Sequence, residues 1–264
     1  MGADGNLYHH LTLFLSVAYE VPDPIRRRVL SQEKEIFSLF RSRDGTISGK
    51  RDCYKAERIK VFYLPPRKPQ IIEIPSMNFL AVRGQGDPNE EGGAYKASIG
   101  LLYGIAYTIK MSKMGRHKIK GYFDYVVPPL EGFWRQEGTA GIDYSRKKDF
   151  QWISLIRLPE FVTRDEFEWA VSEAEEKKEM DFSKVEFLTY EEGLCVQCMH
   201  IGPYDNEPET IRSMELYAGQ QGYEPDFESG RYHHEIYLSD VRRCKPENLK
   251  TVIRHPVRSR DAVR

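Results

Sequence analysis

The sequence has no long apolar run, no excess of charge and few cysteines. Its apolar stretches are shorter than the roughly 20 residues of a membrane-spanning helix, and the apolar start "LTLFLSVAYEV" lacks the basic residues of a signal peptide. The formal net charge is -1, from 39 basic and 40 acidic residues, whereas nucleic-acid-binding surfaces carry a basic excess. Four cysteines in 264 residues make no disulfide framework. These absences predict a cytoplasmic protein without membrane or direct nucleic-acid binding.

The sequence also lacks the motifs of several enzyme classes. The glycine-rich "GQGDPNEEGG" follows neither the phosphate-loop nor the dinucleotide spacing, and no Ser–His–Asp pattern is present. Cys195 and Cys198 fall in a predicted strand, where residues three apart point to opposite faces and cannot chelate one ion. We therefore predict structural cysteines, no cofactor and no metal.

Tyrosine, in contrast, is plentiful. There are 16 tyrosines, and aromatic residues make up 12% of the chain. Tyrosine suits pocket walls because its ring stacks while its hydroxyl forms hydrogen bonds. From the count alone, a tyrosine-lined pocket and tyrosines scattered through core and surface are both open.

The chain divides into an extension, a domain made of two similar halves, and a short tail. We predict an extension of uncertain order at 1–56, with one helix over about 25–41, a domain at 57–258 and a tail at 259–264. Each half reads as strand, glycine turn, helix and tyrosine-rich strand. This order predicts an α+β fold, a pseudo-twofold tandem of two β-α-β-β modules. Helices would cover one side of an antiparallel sheet, with a ligand cleft on the other side.

Local signals predict several element boundaries. Apolar residues at steps of three and four predict a helix over about 92–113. Thr163 followed by Glu166 forms a capping box, which predicts a helix start, and Asn206 is predicted to cap another helix. The stretch "IKGYFDYVVPPLEGFWR" predicts two short strands broken by its prolines.

The last tyrosine-rich strand, "RYHHEIYLSD", mixes ionisable and aromatic side chains. Strand periodicity places alternate residues on opposite faces. One face carries Tyr232, His234, Ile236 and Leu238. The other carries His233, Glu235 and Tyr237. Because Ile236 and Leu238 suit a helix-covered core, we expect Glu235 to face the cleft.

A carboxylate among rings allows more than one role. Glu235 could hold a cation with the help of cation–π attraction, or it could activate water as a general base. A purely structural pairing with Arg243 or a histidine is also open. A metal site at His233 and His234 is disfavoured, because neighbouring strand residues face opposite ways and metal ligands must converge.

Further side chains are candidates for the same cleft. Tyr125 is the counterpart of Glu235 when the two halves are aligned. Trp134 and Trp152 fit either the core or a pocket wall. In the "HIGPYDNEPET" turn, His200 and Tyr204 either lie at the cleft mouth or belong to a segment that only shapes the turn. The full predicted ligand-binding set is Tyr125, Trp134, Trp152, His200, Tyr204, Tyr232, His233 and Tyr237.

Three motifs carry a resemblance to a known family. "GYFDYVVPPLEGFW", "HIGPYDNEPETI" and "YHHEIYLSDVRRCKPENLKTVIRHPV" resemble the GyrI-like small-molecule-binding proteins, above all their stand-alone bacterial branch, over about residues 57–257. The resemblance implies the fold of multidrug-sensing effector domains, which bind bulky, often cationic aromatic compounds around a buried glutamate. Glu235 lies at the matching position. Val241 replaces the usual proline at a loop exit, and the DNA-binding domain of the regulators is missing.

The resemblance also implies an activity. Some stand-alone members are similar to cyclopropanoid cyclopropyl hydrolases, which add water to the spirocyclopropane ring of DNA-alkylating antibiotics of the yatakemycin type. Glu235 would then deprotonate the water, and one or more of Tyr204, Tyr232 and Tyr237 would bind the carbonyl that becomes a phenolate. The alternatives are a non-catalytic module that senses or sequesters drugs, and gyrase inhibition through protein contacts, which the near-neutral charge disfavours. The sequence leaves the natural substrate and the oligomeric state open.

Overall fold

The structure, a computed structural model, describes residues 61–139, 142, 143, 145–228 and 230–263. The predicted extension and its helix lie outside these residues. The strands are β1 (Gln70–Gln85), β2 (Leu130–Arg135), β3 (Gln151–Arg157), β4 (Glu186–Ile201), β5 (Tyr223–Pro225), β6 (His233–Tyr237) and β7 (Lys250–Ser259). Residues 61–63 are helical, and the helices that follow are α1 (Ala94–Met111), α2 (Arg164–Lys178) and α3 (Glu207–Gln220). None of the described helices has the length and apolar character that a membrane span requires.

The strands form one antiparallel sheet that closes on itself. The order is β4-β1-β3-β2-β6-β7, and β7 also pairs with β4, while β5 adds to β7. Two β-α-β-β modules follow one another, β1-α1-β2-β3 and β4-α3-β6-β7, with β2 pairing with β6 between them. The predicted α+β fold is therefore confirmed, and the closed sheet has the character of a barrel.

The helices begin and pack where local sequence signals place them. The apolar face of α1, including Ile99, Leu102 and Ile105, is buried against the sheet. Thr163 caps α2 by accepting a hydrogen bond from the backbone N–H of Glu166, which confirms the predicted helix start. Asn206 also precedes its helix, but its side chain makes no capping hydrogen bond.

The stretch before β2 departs from the prediction. Residues 121–129 contain no strand, so the two predicted short strands reduce to β2 alone. Pro128 and Pro129 have no N–H to donate to a ladder. The aromatic residues of this stretch pack on Phe161 instead of joining the sheet, with ring centroids 5.2 Å away for Tyr122 and 5.7 Å for Tyr125.

The long strand β4 changes its inward-facing parity near its middle. Tyr190 and Cys195 both belong to clusters inside the barrel, although they are five residues apart. Gly193, at φ 67°, lies between them in the left-handed region that glycine adopts readily. Beyond this point the strand alternates regularly, so Cys195 packs inside while Cys198 packs against α3. This confirms the prediction that the two cysteines face opposite ways.

Gly84 allows β1 to pass close to the ring of Trp152. A Cβ atom at Gly84 would lie 2.3 Å from that ring, so we expect Gly84→Ala to lower the free energy of unfolding by about 1–3 kcal/mol. Gly100→Ala is the matched control, because open space surrounds that helical position and alanine should stabilise α1 by about 0.5–1 kcal/mol. Urea unfolding of both variants checks the pair. An equal effect of the two substitutions would contradict the close approach.

Candidate functional site

Strand β6 presents polar side chains to both sides of the sheet. The predicted split into two faces is confirmed, but the assignment of the faces is wrong. Glu235 pairs in register with Ile253, which packs against Met214 of α3. His233 pairs with Trp134, which packs under α1. Because directly opposite residues point to the same side, Glu235 lies on the helix-covered face.

The opposite face of β6 lines the barrel interior. There Ile236 packs against Phe62 and Tyr63, so its apolar side chain is covered by the chain that precedes β1 and not by α1, α2 or α3. The prediction failed because nothing in the local pattern showed that residues 61–64 would fill the barrel. The expected open cleft on this face is correspondingly filled with side chains.

A cluster of polar and aromatic residues surrounds the Glu235 carboxylate, and we call it the Glu235 cluster. Its members are Tyr95, Trp134, His200, Tyr204, Glu207, His233, Glu235 and Tyr237. The hydroxyl of Tyr237 donates to Glu235 Oε2 at 2.7 Å, and His233 Nε2 lies 2.7 Å from Glu235 Oε1. Trp134 Nε1 in turn donates to the Tyr237 oxygen at 3.1 Å. The carboxylate is therefore fixed by its contacts with Tyr237 and His233, and Glu235 as a residue is only 7% exposed.

Aromatic rings from both halves of the domain form the walls of this cluster. Tyr95, from the first turn of α1, packs on Trp134 with centroids 5.2 Å apart and on Trp152 at 5.1 Å. Tyr204, from the turn before α3, meets Tyr237 edge-on at 6.0 Å. The walls thus come from the N-terminal ends of two helices, and the carboxylate lies where the two modules meet.

The surroundings keep Glu235 ionised. Burial by itself would raise the pKa of the carboxyl, but hydrogen bonds and the charge of His233, together with hydrogen bonds from Tyr237 and Glu207, outweigh it and lower the pKa below 4.5. Burial raises the pKa of Tyr204 and Tyr237 well above 10. At neutral pH the cluster therefore combines a carboxylate with phenols that keep their protons.

The imidazoles of the cluster are held by further contacts. His200 Nδ1 lies 2.8 Å from the Thr210 hydroxyl and its Nε2 lies 3.1 Å from the Pro203 carbonyl. Burial lowers the pKa of His200, so its neutral form is favoured. His233 Nδ1 lies 2.7 Å from His255 Nε2, which fixes the orientation of the His233 ring toward Glu235.

Three residues of the cluster have the composition of a cation site. Glu207, His233 and Glu235 each offer a ligand atom within 4.8 Å of the others. Carboxylate oxygen and imidazole nitrogen suit several divalent metals. His234 points to the other face of β6, as the sequence predicted, and takes no part in this group.

The sequence model of the GyrI-like small molecule binding domain matches residues 67–258. The chain belongs to the GyrI-like family. Residues 67–258, with the buried carboxylate between their two modules, are therefore a GyrI-like small-molecule-binding domain.

Solved structures of bacterial proteins are similar to this chain over most of its length. A conserved protein from Listeria innocua is 47% identical, with a TM-score of 0.72, covering 76% of this chain and 98% of that chain. A protein described as a hydrolase from Listeria innocua is 45% identical, with a TM-score of 0.69 and the same coverage. Among curated proteins, no relative matches this sequence.

The GyrI-like domain brings most of the predicted site residues together. Trp134, His200, Tyr204, His233 and Tyr237 all belong to the Glu235 cluster, whose contacts are given above. Trp152 lies behind Tyr95 in the adjoining core.

Two predicted residues lie elsewhere. Tyr232 immediately precedes β6 and packs inside the barrel, stacked on Phe133 at 5.3 Å with an interplanar angle of 5°. Tyr125 lies in the coil before β2, where its carbonyl accepts a hydrogen bond from Lys110. Lys110 is 15 residues along α1 from Tyr95, which corresponds to roughly 22 Å of helix. The alignment of the two halves misplaced Tyr125 because residues 121–129 form no strand.

A second buried polar cluster lies inside the barrel, and we call it the barrel network. His234 bridges two carboxylates, with Nε2 2.9 Å from Glu131 Oε2 and Nδ1 3.0 Å from Glu192 Oε1. Arg254 donates to Glu192 Oε2 at 2.8 Å and to the Phe62 carbonyl at 2.9 Å. The hydroxyl of Tyr63, the remaining member, donates to Glu131 Oε1 at 2.6 Å. The network thus ties the chain before β1 to four strands.

Charges in the barrel network are balanced. Burial would raise the pKa of Glu192, but Arg254 and His234 lower it to about 2. Burial likewise opposes the charged form of His234, but Glu192 and Glu131 raise its pKa above 6.5. The adjoining cavity, lined by Phe79, Tyr190 and network residues, has room for roughly one water molecule. This side of the sheet is therefore closed by its own side chains.

Stability should fall on the alkaline side of neutrality because of His234. The pKa of His234 is higher in the folded protein than in the unfolded chain. The stabilisation from its charged imidazole is therefore complete below about pH 6.5 and is lost as the pH rises through the pKa of the folded state. We expect the urea midpoint of the wild type to decrease between about pH 6 and pH 9, with a shallower decrease in His234→Gln. Equal slopes for the two proteins would contradict a charged His234.

Proposed function

We propose that the Glu235 cluster binds flat aromatic small molecules and hydrolyses spirocyclopropane DNA-alkylating compounds, a detoxifying activity. The observation that carries the proposal is a buried, ionised carboxylate fixed by Tyr237 and His233 within aromatic walls. The similarity at 45% identity to a protein described as a hydrolase supports an enzymatic role. The cytoplasmic location and the absence of nucleic-acid binding remain predictions of the sequence.

The proposed reaction adds one water across the strained ring. Glu235 takes a proton from the water while the water oxygen bonds to a cyclopropane CH₂ carbon. The C–C bond that breaks leaves its electron pair in the dienone, which becomes a phenolate. Tyr204, which keeps its proton because burial raises its pKa, stabilises the phenolate oxygen as a hydrogen-bond donor, while Tyr237 continues to donate to Glu235. Protonation of the phenolate completes a net hydration.

Access to Glu235 requires a local movement in this proposal. Tyr204 covers Tyr237 and belongs to the short turn Tyr204–Asn206. Gly202, at φ 142°, precedes that turn in a region of backbone conformation that other residues rarely adopt. A shift of this turn would separate Tyr204 from Tyr237 and expose the carboxylate to a ligand.

Isotope labelling tests the activity. The wild-type protein is incubated with a spirocyclopropane antibiotic in H₂¹⁸O, and the products are followed by mass spectrometry. We expect a hydrated product that carries one ¹⁸O atom and forms faster than in buffer. Recovery of unchanged compound, or a rate equal to that in buffer, would contradict the hydrolase proposal.

A non-catalytic binding module is the second candidate, and the charge of Glu235 favours it. A carboxylate whose pKa is lowered attracts a cation more readily than it accepts a proton, and the rings of Tyr95 and Trp134 add cation–π attraction. Calorimetric titration with a planar aromatic cation tests this role. Tight binding of unchanged compound, weakened in Glu235→Gln, would support sequestration or sensing in place of hydrolysis.

A further inference from the structure

Glu207 is a buried carboxyl that the proposed reaction does not use. It is the first residue of α3 and is fully buried. A carboxylate oxygen of Glu207 lies within 4.8 Å of ligand atoms of both His233 and Glu235. Its side chain also forms a hydrogen bond with Glu235. The site therefore contains two carboxyl groups in contact.

A hydrogen bond between two carboxyl groups requires a proton. Both groups ionised would leave two negative charges facing each other in a buried site, which strongly disfavours the doubly charged state. Glu235 Oε2 already accepts a hydrogen bond from Tyr237 at 2.7 Å, and Oε1 faces His233 Nε2 at 2.7 Å. These contacts stabilise Glu235 as the carboxylate, so Glu207 is the donor and Glu235 the acceptor. The N-terminus of α3 favours a negative charge on Glu207, but this attraction is weaker than repulsion between adjacent buried carboxylates.

We propose that Glu207 is a positioning residue that carries a proton at neutral pH and donates it in a hydrogen bond to Glu235, which keeps Glu235 as the carboxylate of the site. This role rests on the proposed function only where it concerns turnover, since the proton on Glu207 exists without a ligand. The proton on Glu207 also determines which class of ligand the site suits. The carboxyl pair carries a single negative charge, which suits a neutral or singly charged aromatic compound better than a divalent cation.

Infrared spectroscopy of the protein without substrate tests the proton directly. We expect a carbonyl band of a protonated carboxylic acid at neutral pH that is present in the wild type and absent in Glu207→Gln. The matched control Glu215→Gln changes an exposed glutamate of the same helix and should leave the band in place. A wild-type band that survives in Glu207→Gln, or no band at all, would overturn the proposal whether or not the protein is a hydrolase.

The pH profile tests the positioning role. Glu207→Gln keeps a donor and should keep the midpoint of the acid limb of turnover. Glu207→Ala lacks the donor, and its acid limb should move to higher pH by on the order of one unit. A loss that is equal at all pH values would indicate a structural role and overturn the proposal. If the wild type shows no turnover, the acid limb for binding of a planar aromatic cation gives the same comparison.

A zinc titration tests the remaining alternative, which is a metal site formed by Glu207, His233 and Glu235. We expect no stoichiometric Zn²⁺ binding by calorimetry at neutral pH, because a protonated Glu207 is a poor metal ligand. Binding of one Zn²⁺ that is lost in both Glu207→Gln and Glu235→Gln would overturn the proposal and make the three residues a metal site. If Glu207→Ala does not fold, the infrared comparison still decides the question.

Discussion

Glu235→Gln is expected to slow the opening of a spirocyclopropane by about 10²–10⁴-fold, the usual contribution of a general base. The amide keeps the size of the side chain but cannot accept a proton from water. One of Tyr237 and His233 can still donate to the single amide oxygen, so the aromatic walls should keep their arrangement and binding of the compound should persist. The rate constant is measured by mass spectrometry at saturating compound.

The control for this prediction is Glu215→Gln, an exposed glutamate on α3. It should retain the wild-type rate. Normal turnover by Glu235→Gln would contradict the role of Glu235, even if the protein proves to be a hydrolase. Loss of binding together with turnover would show that the carboxylate holds the ligand and would favour the second candidate function.

Glu192→Gln is expected to lower the free energy of unfolding by about 3–5 kcal/mol, the cost of breaking a buried ion pair. Glu192 contacts Arg254 at 2.8 Å and His234 at 3.0 Å inside the barrel. Its removal leaves the guanidinium without its nearest negative charge in a site closed to solvent. Urea unfolding at neutral pH measures the loss.

An exposed ion pair provides the comparison for Glu192. Glu186 contacts Arg83, but both side chains are about half exposed, so Glu186→Gln should change the stability by less than about 1 kcal/mol. Similar losses in the two variants would contradict the special role of the barrel network. A stability gain in Glu192→Gln would indicate that the network serves specificity of the fold rather than its stability.

The sequence predicted the architecture well because its signals are local. The apolar repeat of α1 and the cap at Thr163 depend only on neighbouring residues, and both lie where expected. The alternation in "RYHHEIYLSD" correctly separated Glu235 from His234. The same alternation could not say which face the helices cover, because Ile236 finds apolar partners in Phe62 and Tyr63, which are far away in sequence.

The site residues that the sequence missed depend on long-range contacts. Tyr95 belongs to the apolar face of α1 by its spacing, yet it reaches the Glu235 cluster through Trp134. From the sequence alone, Glu207 is indistinguishable from an ordinary acidic residue in the first turn of a helix. Glu192 faces inward on the same side as Tyr190, whereas counting back from Cys195 would place it outward. The parity of β4 changes at Gly193, and only the glycine in a strand pattern hinted at this change.

Fluorine NMR with 5-fluorotryptophan tests most directly whether the Glu235 cluster is the ligand site. The chain has three tryptophans: Trp134 in the cluster, Trp152 behind it, and Trp169 on α2, stacked on His117 at 4.0 Å. We expect the ring-opened product of a spirocyclopropane antibiotic, which no longer reacts, to shift the Trp134 resonance most and to leave Trp169 unchanged. A shift confined to Trp169, or no shift under conditions where calorimetry detects binding, would contradict the account.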